Sequence, residues 1–163
     1  MIRAWLLGLC LLLGACGLRT PVPQNVPQLS AQLPLTLLIQ RQQAGERQDW
    51  LLVLQAEGPS LRWSLLDPLG VPLARQLLTA GEWQNDGLLP PNPEARELFA
   101  ALLFALSSDA ALAQHYPAGS WQLSAAGRRL DPHWSINYRA PLEFSLNSGE
   151  VLYQVRALPA GEA

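Results

Sequence analysis

The chain has 163 residues, 49% of them apolar and 15% charged, with eleven arginines, no lysine and thirteen acidic residues. That length and apolar content fit one globular domain with a sizeable core. A formal net charge of −2 lacks the basic surplus of nucleic-acid binders and excludes that partner class.

In chain order, Arg3 precedes an apolar run of about ten residues, Ala4 to Leu13. A membrane-spanning helix needs about 20 apolar residues and a signal-peptide core about 7–15, so the run predicts an export signal. Leu13-Gly14-Ala15-Cys16 resembles a bacterial lipobox, where small residues precede the cysteine that receives lipid. Cys10 is a rival acceptor, but bulky Leu9 sits at its cut; an ordinary cleaved signal with Cys16 a bystander is the other alternative. With lipid on Cys16, the mature chain keeps no thiol for a disulfide, a metal or a nucleophile. Its ten arginines then face thirteen acids, a net charge of about −3. Gly17, by resemblance to enterobacterial lipoproteins, implies sorting to the outer membrane, facing the periplasm.

The expected organisation is a signal peptide over residues 1–15, a lipidated cysteine and Pro-rich tether over 16–32, one domain over 33–158 and a tail over 159–163. The tether lacks a hydrophobic period, and its prolines predict an extended form of about 3.1 Å per residue. Strands follow. Leu33, Leu35, Leu37 and Ile39 alternate, as do Leu61, Trp63 and Leu65. Asp67-Pro68-Leu69-Gly70 has the chemistry of a tight turn. "VPLARQLLT" alternates through Val71, Leu73, Arg75 and Leu77, and a short strand is expected around Trp83.

The period then changes. Asn92 is an N-cap candidate, with Pro93 at the first helical position and Glu94 and Glu97 in the first turn. Leu98 to Leu106 contains no polar residue, so this helix is expected to be covered on most sides. "DAALAQHY" suggests a second short helix. Strands resume at Trp121 and Trp134, and residues 142–157 read as a hairpin turning at Asn147-Ser148-Gly149. About five strands, a helical insert and about four strands predict an α+β, mostly β fold: one antiparallel meander curved around an apolar helix.

"LRWSLLDPLGVPLARQLL" resembles the segment of the outer-membrane lipoprotein receptor LolB where Asn-Pro-Leu-Gly joins two strands. The order of lipobox, tether, paired strands, loop, Leu-rich helix and closing hairpin is similar to the LolA/LolB family, and to LolB-like lipoproteins associated with aryl-polyene gene clusters. The resemblance implies an incomplete antiparallel β-barrel of about 9–11 strands wrapped around an apolar helical insert. It implies a membrane-insertion role for Leu69, the position matching the exposed loop leucine of that family. The implied partners are the membrane, through the N-terminal lipid, an acyl-chain or lipoprotein cargo, and a periplasmic carrier protein. Leu98, Phe99, Leu102, Leu103, Trp63 and Trp134 are the candidates to line or cover an apolar cavity, core packing being the alternative reading for each.

No catalysis, cofactor or metal is expected. His115 and His133 stand alone, with no Gly-x-Ser-x-Gly elbow, Cys-x-x-Cys or His-Glu-x-x-His. Arg128-Arg129 reads as a solvated turn, with contact to phosphate headgroups as the alternative. Besides lipid binding, a structural assembly lipoprotein with a packed core and a lipid-acting enzyme are carried as rival functions.

Overall fold

The computed structural model describes residues 19–158, so the segment read as a signal peptide, Cys10, Cys16 and residues 159–163 lie outside the described residues. Ten strands and two helices follow in order. These are β1 (Leu35–Gln43), β2 (Glu46–Glu57), β3 (Ser60–Leu66), β4 (Pro72–Thr79), β5 (Glu82–Asn85), α1 (Pro93–Leu106), α2 (Asp109–His115), β6 (Trp121–Ser124), β7 (Gly127–Leu130), β8 (Trp134–Ala140), β9 (Glu143–Ser148) and β10 (Val151–Ala157). They form one open antiparallel sheet in the order β5-β4-β3-β2-β1-β10-β9-β8-β7-β6. The expected single meander is therefore two meanders joined where the first strand meets the last, with Ile39 opposite Val155. The helical segment links the two free edges, β5 and β6, instead of sitting mid-sheet. The second set also has five strands, not about four, because a short β6–β7 hairpin turns at Ala125-Ala126.

Gly127, on β7, has a φ of 144°, and a Cβ there would lie 1.9 Å from the Ile136 carbonyl oxygen. Only glycine admits this approach of two backbones.

One sheet face carries Leu37, Ile39, Leu52, Leu54, Trp63, Ile136, Leu146 and Val155, all buried in one cluster with α1. From Leu98 to Leu106 every α1 residue is buried, as the unbroken apolar run predicted. Each leucine removed from water in this way contributes roughly 1.5–3 kcal/mol. Trp63 stacks on Phe99 at 5.2 Å and meets Trp83 edge-on at 5.8 Å, arrangements worth roughly 0.5–1.5 kcal/mol each beyond burial.

The phase of β4 differs from expectation. Ala74, Gln76 and Leu78 face the core, Arg75 and Leu77 are turned away and only half-buried, and Leu73, half-buried at the bulge, packs against the core's edge. A register shift between Leu65 and Leu66 is the cause: Leu66 faces Pro72, but Leu65 faces Ala74. One extra residue on β4 flips every later side chain to the opposite face. Gln76 is thereby buried with its Oε1 unpartnered, and Arg75 reaches Asp86 at 3.0 Å.

The Pro-rich segment, read as a free tether through residue 32, is docked from Thr20 onward. The Thr20 amide donates to Glu97 Oε2 at 3.0 Å, and Trp134 Nε1 donates to the Thr20 hydroxyl at 2.8 Å. Further along, the Ser30 amide donates to the Leu106 carbonyl at 2.7 Å, and the Ser108 amide to the Gln28 carbonyl at 2.9 Å. Pro23 and Pro27 are buried. This strap covers α1 on the side the sheet leaves open, which explains how a helix apolar all round is kept from water.

Both helix ends are closed. Asn92 Oδ1 accepts from the Ala95 amide at 3.0 Å, the predicted cap. At the other end, Arg128 corrects the sequence reading. It lies on β7, not in a solvated turn, and Nη1 donates to the carbonyls of Phe104, Ala105 and Ser107 at 3.0, 3.2 and 2.8 Å. Nη2 pairs with Asp109 at 2.7 Å, and the Tyr138 hydroxyl also donates to the Ala105 carbonyl. Arg128→Met is expected to cost about 3 kcal/mol in chemical denaturation, since it strands buried carbonyls. Arg129→Met, at an exposed position, should stay within about 0.5 kcal/mol.

Candidate functional site

Antiparallel order places the β1–β2, β3–β4, β7–β8 and β9–β10 connections at one end of the sheet, together with the start of α1. The β3–β4 loop there is built tightly. The Asp67 amide donates to the Val71 carbonyl at 2.9 Å, and the Gly70 amide to the Asp67 carbonyl at 3.0 Å. Asp67 Oδ1 accepts from the amides of Leu69 and Val71 at 2.9 and 2.8 Å. Gly70, at φ 81°, supplies the left-handed conformation the turn needs. The apex side chain, Leu69, is 89% exposed. An apolar side chain is thus held in water by a loop whose own hydrogen bonds prevent it from folding back.

Beneath this loop, at the α1 N-terminus, lies a depression of about 500 Å³, within the common range for small-ligand sites of about 300–1,000 Å³. Trp50, Leu65, Pro68, Leu73 and Ala95 give it an apolar wall, and Asp49, Asp67 and Glu94 add carboxylates. Glu94 is held in place: Arg41 Nε donates to it at 2.5 Å and the Tyr153 hydroxyl at 2.7 Å. The Arg41 guanidinium also lies 5.9 Å from the Trp50 ring centroid, where its charge faces the ring's π system. Two other depressions exist. One of about 350 Å³ adjoins Arg128 and Tyr138 at the opposite end of α1. One of about 520 Å³ lies across β8, β9, β10 and β1, with Arg139, Gln154 and Arg156 on its walls.

The six residues expected to line or cover a cavity come together, but as core. Leu98, Phe99, Leu102, Leu103, Trp63 and Trp134 are all buried in the one cluster, and none lines any of these three depressions. Cys16 lies outside the described residues. His115 ends α2, half-buried, and His133 is exposed beside the Trp134 ring at 5.4 Å. Among the described residues, no group of three or more His, Cys, Asp or Glu side chains is placed to hold a metal ion, and no helix is long and apolar enough to cross a membrane.

Sequence reasoning missed Trp50, Leu73 and Ala95 as site residues. Trp50 stands where polar "QRQQAGERQD" gives way to apolar "WLLVLQ", a junction that marks the end of the sheet's apolar face. Leu73 is the extra residue of the bulge, packed against the edge of the core where the depression opens. Leu88 was missed as well. It is the most exposed large apolar residue described, in a Pro- and Gly-rich stretch that reads simply as a loop.

The fold and site define a mostly β protein: one open ten-stranded antiparallel sheet packed around an apolar helix, with an apolar-tipped loop beside its mouth. No family model matches the chain, and no curated protein matches it.

Burial holds the Tyr138 hydroxyl up at about 12, against an opposing effect of Arg128. Burial also raises Tyr116, and burial followed by the hydrogen bond to Glu94 raises Tyr153. These are the chain's three tyrosines. Each folded value lies above the free phenol at about 10, so the unfolded chain releases protons first as pH climbs. Their stabilisation is complete below about pH 10 and is lost as pH rises toward 12 and beyond. Phenolate absorbance should stay flat through about pH 10 and then rise together with loss of tertiary circular dichroism. A separate transition near pH 10 in the folded chain would contradict this.

Proposed function

We propose that this chain is a lipid-anchored protein of the bacterial envelope with a LolA/LolB-like half-barrel. In this reading it takes an acylated cargo from a periplasmic carrier and passes it to the outer membrane, and it performs no catalysis. Cys16 carries the anchor. The acyl chain enters at the depression walled by Trp50, Leu65, Leu73 and Ala95, and Leu69 enters the bilayer as cargo is released. The observation that carries this reading is Leu69 itself, held 89% exposed on a loop pinned by Asp67 next to an apolar recess. An exposed leucine costs free energy in water and regains roughly 1.5–3 kcal/mol when covered by hydrocarbon.

A second reading is favoured by the packed core. Leu98, Phe99, Leu102, Leu103, Trp63 and Trp134 leave α1 buried from Leu98 to Leu106, as in an assembly lipoprotein that holds no ligand.

The two are separated by one pair of measurements on a soluble form beginning at residue 17. Extraction and mass spectrometry should find co-purified lipid, and Leu69→Glu should keep lipid binding within about twofold and stability within about 0.5 kcal/mol. Transfer of a fluorescent diacylated lipopeptide from that form to vesicles should fall roughly tenfold or more in the same variant. No bound lipid, no lipopeptide uptake and no effect of Leu69→Glu would leave the packed-core reading standing.

A further inference from the structure

Resting on the lipid-anchored reading above, we infer that the end of the sheet bearing Leu69 faces the bilayer directly, that the docked strap sets this orientation, and that Leu88 is a second membrane-contacting residue. Three observations meet at this end. Of the five exposed large apolar residues among those described, Leu69, Val71 and Leu88 belong to loops here, the first two in the β3–β4 connection and the third between β5 and α1. Leu88 is fully exposed, and Pro90 and Pro91 follow it in the same loop, both exposed.

The second observation is where the strap ends. Thr20 is bound to Glu97, in the second turn of α1, and to Trp134, the first residue of β8 after the β7–β8 connection. Both partners belong to this same end. The third is chain length. Four Cα steps separate Thr20 from Cys16, a reach of at most about 14 Å. A lipidated Cys16 therefore holds this end near the headgroups. A tether free through residue 32 would have let the domain stand off by tens of ångströms and turn in any direction.

Charge selects the kind of surface. Asp67, Asp131 and Glu150 lie in the connections at this end, and Asp86 there is already paired with Arg62 and Arg75. Carboxylates are repelled by anionic headgroups, so contact comes from apolar insertion into zwitterionic lipid, and salt does little to weaken it.

The test uses the full lipidated chain in phosphatidylethanolamine–phosphatidylcholine vesicles. An environment-sensitive dye is placed on Leu88→Cys, Leu69→Cys or Leu123→Cys, the last an exposed site near the opposite end. Dyes at 88 and 69 should brighten severalfold and be quenched by nitroxide-labelled lipid, while the dye at 123 stays water-like. Replacing a third of the lipid by phosphatidylglycerol should not increase the signal. A water-like dye at 88 beside a buried dye at 69 overturns this inference and leaves the proposed function intact. Water-like dyes at both positions overturn both. Equal burial at 88 and 123 overturns the end-on orientation. Burial of the dye at 88 in the soluble form beginning at residue 17, with neither detergent nor vesicles present, assigns the patch to a second copy of the chain and overturns the bilayer contact.

Discussion

The fold depends on hiding a helix that has no polar face. Ala95 and the whole of Leu98 to Leu106 are buried, so the helix must find apolar partners all round and its orphan carbonyls must find donors without water. The sheet supplies the partners on most sides and the Thr20–Ala31 strap the rest. Donors come from far along the chain. Leu103 is met by the Ser107 amide and hydroxyl, Phe104 and Ala105 by Arg128, and Leu106 by the Ser30 amide. No basic residue lies in the last turn of α1, so Arg128 from β7 brings the positive charge that the helix's negative end favours. The β6–β7 hairpin and its obligatory Gly127 exist in a position that delivers this guanidinium, and the strap is held down by the same helix end it helps to close.

What was legible in the sequence was what local chemistry decides. The Asn92 cap, the Asp67–Gly70 turn, the buried character of Leu98 to Leu106 and the alternation of β1 and β3 each follow from neighbours within a few residues. What was not legible depended on partners distant in sequence. The Arg128-Arg129 pair looks like a polar turn until a helix terminus some twenty residues earlier is placed beside it. The β4 phase is set by a bulge that no residue type announces, and the strap looks like a linker because its stabilising contacts are with Glu97, Trp134 and Leu106. The site divided the same way. Leu69 was singled out through the resemblance carried by its turn, whereas nothing local marks Leu73 at the bulge, and the six residues read as core or cavity lining are enclosed because α1 fills the sheet.

The packed inner face also determines where room for a ligand can be found. The two ends of α1 are secured unequally. Displacing its last turn would strip four carbonyls of buried donors and leave Arg128 facing Phe104 and Tyr138 without acceptors, a cost of several kcal/mol. Displacing its first turn breaks the pair between Arg41 and Glu94, whose carboxylate side chain is 44% exposed. Water takes over the Glu94 charge, and Arg41, itself largely enclosed, keeps Gln43 Oε1 as an acceptor. Tyr153, which is buried, loses its acceptor in the same step, a cost of about 1–3 kcal/mol that is still less than that of stranding the carbonyls at the other end. The helix is therefore cheapest to move where Asp67, Pro68 and Trp50 gather, and expensive to move where Arg128 sits. Any enlargement of the recess begins beside Leu69, at the end where Thr20 of the strap is bound to Glu97 and Trp134, so docked strap, exposed loop and more easily displaced helix terminus are all properties of one end of the sheet.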